Sequence, residues 1–187
     1  NRLKHIIVAS VGTHGDVLPL LALGAELRAC GHRVTVAANE PFRDMALQLG
    51  CEFASLVSTE ETHRFLADPD IWHPLKCGLV GARWGVRWLP KQYEVLAELA
   101  AAPGTLLAAS PPILAARLVQ EKFGTPVASI YYTPWMIPSC IKPPAMTGGW
   151  TLPNWAPRPL GKIYWRLVDL VGSVVLGKPL NALRRRL

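Results

Sequence analysis

The chain alternates short apolar runs with helix-length segments that close on glycine, and this alternation restricts its fold more than any other feature. His5 to Ser10 is an apolar run rich in β-branched residues and too short for a helix, and it stops at Gly12. It predicts a buried strand. Val11 to Asp16 reads as a loop, and Leu18 to Cys30 then places Leu20, Leu21, Leu23, Gly24 and Leu27 at helical spacing before Gly31. Pro19 suits the first turn of that helix. His32 to Ala38 predicts a second strand, Pro41 to Leu49 a helix ending at Gly50, and Cys51 to Leu56 a third strand. A helical middle follows from Glu60 to Ala67 and roughly from Leu75 to Ala102, with breaks or kinks at Pro69 and Pro90. The alternation resumes with a strand at Thr105 to Ser110, a helix at Pro111 to Phe123 ended by Gly124, and a strand at Pro126 to Tyr132. Strands separated by helices need crossover connections, so the expected fold is α/β: a Rossmann-like open parallel sheet with helices on both faces.

A chain of 187 residues, half of them apolar, has material for one domain with a real core, and a mean hydropathy of +0.21 excludes a disordered chain. No apolar run reaches the length of a membrane span, and the first residues lack a charged-then-apolar leader, which suggests a cytoplasmic protein. Cys30, Cys51, Cys77 and Cys140 form no C-x-x-C pair, so they read as reduced thiols rather than a zinc site or a disulfide scaffold.

The net charge of +7 is concentrated at one end. Residues 158–187 carry Arg158, Lys162, Arg166, Lys178, Arg184, Arg185 and Arg186 against the single acid Asp169. These cations sit among Tyr164, Trp165 and many aliphatic residues and match no nucleic-acid-binding motif, so no nucleic-acid partner is expected. Two readings of the tail remain: a basic amphipathic element making peripheral contact with an anionic membrane surface, or a partly buried helix with a solvated face.

The stretch Val11-Gly-Thr-His-Gly-Asp-Val-Leu-Pro19 carries the most chemistry. The first strand-to-helix turn of an open parallel sheet borders the ligand crevice, Gly12 and Gly15 let backbone approach a ligand closely, and the helix start behind them favours negative charge. The spacing is neither that of a dinucleotide fingerprint nor that of a P-loop. Asp16 is a candidate general base, or a capping side chain for the next helix. His14 is a candidate catalytic partner, or an ordinary loop histidine.

Gly12-x-x-Gly15-Asp16-Val17-x-Pro19, followed by Leu23-Gly24-x-x-Leu27 and Gly31-His32-Arg33-Val34-Thr35-Val36, resembles the N-terminal signature of the family-1 and family-28-like glycosyltransferases. The resemblance continues through Pro41-Phe42-Arg43-Asp44, Gly50-Cys51-Glu52-Phe53, Asp68-Pro69-Asp70-Ile71-Trp72, Glu121-Lys122-Phe123-Gly124-Thr125-Pro126 and Trp165-Arg166, over nearly the whole chain. That group includes sterol glucosyltransferases, glycopeptide glycosyltransferases and the rhamnosyltransferases of rhamnolipid synthesis, and the last look most similar.

The resemblance implies a GT-B architecture of two Rossmann-like domains, of which residues 1–187 match only the N-terminal, acceptor-binding one, incomplete at its C-terminal end. The donor domain, which would hold the nucleotide sugar, is absent from the sequence. The implied chemistry is inverting transfer of a hexose from a UDP- or dTDP-sugar, with no metal and no other cofactor. Asp16 matches the position of the base, with His14 as an assistant and Gly12, Thr13 and Gly15 as the loop facing acceptor and donor. Plant relatives orient a catalytic His with an acid after a later strand, whereas Ser110-Pro111-Pro112 stands there in this chain, which leaves Asp16 acting by itself. The expected partner is a hydrophobic small-molecule acceptor, because Trp72, Trp84 and Trp88, with Trp135 and Met136 of the proline-rich segment 133–159, would line an apolar pocket; the other reading of these tryptophans is that they only fill the core.

Overall fold

A computed structural model of the chain describes residues 3–73, 76–133, 137, 139 and 158–187. Five strands form one parallel sheet: β1 (His5–Ala9), β2 (Arg33–Asn39), β3 (Glu52–Val57), β4 (Thr105–Ala109) and β5 (Val127–Ser129), in the order β3-β2-β1-β4-β5. Seven α-helices are seen among the described residues: α1 (His14–Ala29), α2 (Arg43–Gln48), α3 (Thr59–Ala67), α4 (Cys77–Ala100), α5 (Ala115–Phe123), α6 (Arg158–Gly172) and α7 (Lys178–Arg184). The chain packs as two compact units, the first made of the residues up to Ala67 with Arg87–Tyr132, the second of Asp68–Val86 with the residues from Thr133 onward.

The first unit contains the sheet, and β1 is its centre. His5 to Ala9 pair in register with Arg33 to Ala37 on one side and with Thr105 to Ala109 on the other. Being flanked twice, Ile7, Val8 and Ala9 have no exposed surface, which explains a continuous rather than alternating apolar run. Ile6, Val8, Val34, Val36, Ala38 and Ala108 form one core with Val17, Leu20, Leu21 and Gly24 of α1. Gly24 brings the helix close to the sheet, since a Cβ there would sit 3.4 Å from Val36 and 3.7 Å from the Cys51 sulfur. Pleating turns Ile7, Ala9, Ala37 and Leu107 to the opposite face, where they are buried as deeply. Helix α4 buries Trp88, Leu89, Gln92, Tyr93, Leu96 and Ala100 along one side, with Trp88 edge-on to Phe65 of α3 at 5.3 Å.

The structure corrects several boundaries. Helix α1 begins at His14, about one turn before the expected Leu18, because Thr13 and Asp16 cap it; His14, Gly15 and Asp16 are therefore helical, and Pro19 lies beyond the first turn. Its missing N–H leaves the Gly15 carbonyl without a helical partner at a position where both residues are exposed, so the cost is limited. Pro90 likewise sits inside α4 without ending it. Pro111 and Pro112 delay α5 to Ala115, since a residue before proline is steered away from helical backbone. The stretch expected as Pro41 to Leu49 divides into a 3-10 turn at Glu40–Phe42 and the short α2. Strand β5 pairs with β4 over only three residues, because it is the sheet's edge.

In the second unit Asp68 caps the 3-10 turn Pro69–Ile71 by accepting from the Asp70 N–H at 3.0 Å, and the Trp84 indole donates to the other Asp68 oxygen at 3.4 Å. Helix α6 passes through a π-helical segment at Ser173–Gly177 into α7. No helix among the described residues is long and apolar enough to cross a membrane.

Candidate functional site

In this strand order the chain turns to opposite sides after β1 and at β4, so the crevice between the carboxyl ends of these two strands is the position where parallel α/β sheets take ligands. The residues that end each strand there are polar. Ser10, just past β1, donates its N–H to the Ala37 carbonyl at 3.0 Å and its hydroxyl to the Asp16 carbonyl at 2.9 Å. Gly12 has φ of +137°, a conformation that side chains rarely adopt, and its N–H donates to Asn39 Oδ1 at 3.0 Å.

Asn39 closes β2 at a register irregularity after Ala38 and is fully buried. Its Nδ2 donates to Thr62 Oγ1 at 3.1 Å, and that hydroxyl donates to the Ser58 carbonyl at 2.8 Å. One amide side chain thus fastens the β1–α1 turn to the start of α3. Both its polar atoms are satisfied, as burial demands.

Thr13 is the N-cap of α1 and Asp16 its third residue. Asp16 Oδ2 accepts from the Thr13 N–H at 2.7 Å and from the Thr13 hydroxyl at 2.9 Å, the carboxylate half of a capping box. Asp16 Oδ1 accepts from the Tyr132 hydroxyl at 2.9 Å. Tyr132 stands three residues past β5, and its ionisation is pushed up by burial first, then by the Asp16 charge and the hydrogen bond to it. The phenol therefore remains a neutral donor. Ser110, just past β4, is 2% exposed, and its Oγ has no hydrogen-bond partner among the described residues.

His14 is exposed and meets Phe42 edge-on at 5.1 Å. It sits two residues before Asp16 within a helix rather than in a flexible loop, and that spacing turns the two side chains to different sides. Gly15 is open: the nearest atom to a Cβ there would be Thr13 Oγ1 at 3.7 Å. Gly12, Thr13 and Asp16 are thus brought together, and His14 stands apart.

The tryptophans expected to form a pocket divide between the units. Trp72, 65% exposed, and Trp84 belong to the second; Trp88, 4% exposed, is a core residue of the first. Of the two readings open for Trp88, pocket lining and core, its packing fits the core, since the buried side of α4 turns it onto Phe65. Trp135 and Met136 lie outside the described residues. Among the described residues no group of three or more His, Cys, Asp or Glu side chains is arranged to hold a metal ion. Sequence reasoning missed Asn39, Tyr132 and Ser10. The available signal was their position, since each is a polar residue at or just past the end of an apolar strand.

A parallel sheet covered on both faces, with a glycine-bearing turn and a capped helix at its central crevice, is the Rossmann-like architecture of the N-terminal domain of GT-B glycosyltransferases. The solved glycotransferase of kitacinnamycin shares it, with a TM-score of 0.52 and 25% identity over 68% of this chain and 30% of that one. The model of the glycosyltransferase family 28 N-terminal domain matches residues 6–140, and the chain belongs to that family. It is 34% identical over 73 residues to O-mycaminosyltylonolide 6-deoxyallosyltransferase of Streptomyces fradiae, covering 39% of this chain and 17% of the relative. It is 41% identical over 51 residues to sterol 3-beta-glucosyltransferase UGT80A2 of Arabidopsis thaliana, covering 27% of this chain and 8% of the relative. The chain therefore spans only a small part of the curated relatives it matches.

Proposed function

We propose that the chain is the acceptor-binding part of an inverting glycosyltransferase that moves a hexose from a UDP- or dTDP-sugar to the hydroxyl of a hydrophobic acceptor, with Asp16 as the base. The observation that carries the reading is the Asp16 carboxylate, held at the central crevice by Thr13 and Tyr132. In the transfer, Asp16 takes the acceptor's hydroxyl proton while that oxygen bonds to the anomeric carbon and the nucleoside diphosphate departs with the electrons of the broken bond. The amino end of α1 and the open Gly15 suit the phosphates of the donor. A metal ion has no part in this scheme. The donor is assigned to a second domain, so the chain by itself is expected to transfer no sugar, because catalysis needs both substrates held at reacting distance.

An apolar acceptor is supported by the sterol glucosyltransferase relative. The tail adds a location. Leu160, Ile163, Leu167, Leu170, Val171 and Val174 are 44–61% exposed along one side of α6 and its continuation, and Lys162 and Arg166 flank that row. An anionic membrane surface on the cytoplasmic side would accept both the apolar row and the excess of basic groups.

Asp16→Asn keeps the shape and removes the proton acceptor. In the complete enzyme its kcat is expected to fall at least about a hundredfold with acceptor KM little changed. An unchanged kcat would reduce Asp16 to a helix-capping residue and would fit a ligand-binding module on the same fold.

A further inference from the structure

Four hydrogen-bond positions belong to an ionised carboxylate, two on each oxygen. At Asp16 three are filled among the described residues. Both on Oδ2 are taken by Thr13, through its N–H and its hydroxyl, and one on Oδ1 is taken by the Tyr132 hydroxyl. The remaining position is on Oδ1, so the proton of an acceptor hydroxyl goes there. Thr13 belongs to the same turn as Asp16, whereas Tyr132 comes from the far side of the sheet, 116 residues along the chain. Its ring packs against the core shared by β1, β2 and α1, which gives the phenol oxygen a fixed place.

We propose that Tyr132 is a positioning residue for Asp16, holding its carboxylate plane so that the free position on Oδ1 faces the acceptor. This rests on the assignment of Asp16 as the base. The proton balance is closed: the acceptor O–H bond breaks, the proton passes to Asp16 Oδ1, and Tyr132 keeps its own proton as a donor throughout. A tyrosine suits this role better than a charged donor. A lysine or arginine would neutralise the carboxylate and weaken it as a base, while a phenol whose ionisation is raised donates without adding charge.

The test is a double-mutant cycle in the complete enzyme. Tyr132→Phe keeps the ring and removes only the hydroxyl; kcat is expected to fall about tenfold, the effect of losing one charge-assisted hydrogen bond, with acceptor KM within about twofold. In an Asp16→Asn background the same substitution is expected to have no further effect. Unchanged or raised kcat in Tyr132→Phe, or an equal fractional loss in both backgrounds, would overturn the proposal while leaving the Asp16 assignment standing. Full activity in Asp16→Asn would remove that assignment and the proposal with it. A second readout needs no turnover: in this chain labelled at tyrosine Cζ, the Tyr132 carbon resonance is expected to move in Asp16→Asn while Tyr93 and Tyr164 stay in place. A stationary Tyr132 resonance would show that the phenol does not bind Asp16.

Discussion

Replacing Gly12 by alanine puts a methyl group where the Asp16 carboxylate already lies. A Cβ at Gly12 would sit 2.3 Å from Asp16 Oδ2, 2.8 Å from Cγ and 3.0 Å from Cβ, all far inside ordinary contact. Two costs follow. At φ of +137° any side chain is strained, by about 1–3 kcal/mol. In addition Asp16 must swing away, surrendering its bonds to Thr13 and Tyr132; losing a helix cap of this kind costs about 1 kcal/mol. The expected total is about 2–4 kcal/mol, which in a chain of this size lowers Tm by roughly 5–15 °C. Thermal unfolding followed by circular dichroism measures it. The informative comparison is Gly12→Ala in an Asp16→Ala background. With the carboxylate gone the clashes with Oδ2 and Cγ disappear and only the 3.0 Å approach to the Cβ that alanine keeps remains, so the second substitution should cost about 1 kcal/mol less than it does in the parent chain. Costs that add within about 0.5 kcal/mol, or a Gly12→Ala that costs less than that, would refute the close approach of Gly12 to Asp16.

Two further outcomes are expected. His5 bridges its neighbours, its Nε2 lying 2.8 Å from Thr35 Oγ1, and burial first, then the Arg33 charge, hold its ionisation below the ordinary 6.5 against the opposing pull of Glu52. The unfolded chain therefore binds more protons below about pH 7, so stability should decline as pH falls through 6.5, and His5→Gln should flatten the urea midpoint between pH 7 and 5; an unaltered slope would place the titrating group elsewhere. On the tail, the chain should sediment with vesicles of anionic phospholipid and not with zwitterionic ones, and Leu167→Glu with Leu170→Glu should abolish this; equal binding to both vesicle types would remove the electrostatic part of the membrane reading.

Much of the fold was legible along the chain because each element's cause is local. A β-branched run of five or six residues can bury both faces only as an inner parallel strand, and glycines at 31, 50 and 124 take the left-handed backbone that ends a helical segment. The same locality exposed Asp16 as a candidate, since glycines and a carboxylate at the end of the first strand are neighbours in sequence. Where two local signals competed, the reading slipped: Pro19 argued for a late helix start, while the Thr13–Asp16 cap, formed by residues three apart, set the earlier one.

What tertiary structure alone decided is who meets Asp16. The amino-acid order gives no reason for Tyr132 to reach it, or for Asn39 to hold the Gly12 N–H. Both contacts exist because the sheet places β2 and β4 on either side of β1 and β5 beyond β4, which lines up strand ends that are 27 and 116 residues apart from their partners. Trp88 is a similar case: its chemistry suited a pocket or a core equally, and only the facing of α4 set it against Phe65. Periodicity and capping are written in neighbouring residues and can be read there; strand order and helix facing are settled by burying apolar surface across the whole unit, and the side chains of the site acquire their partners only then.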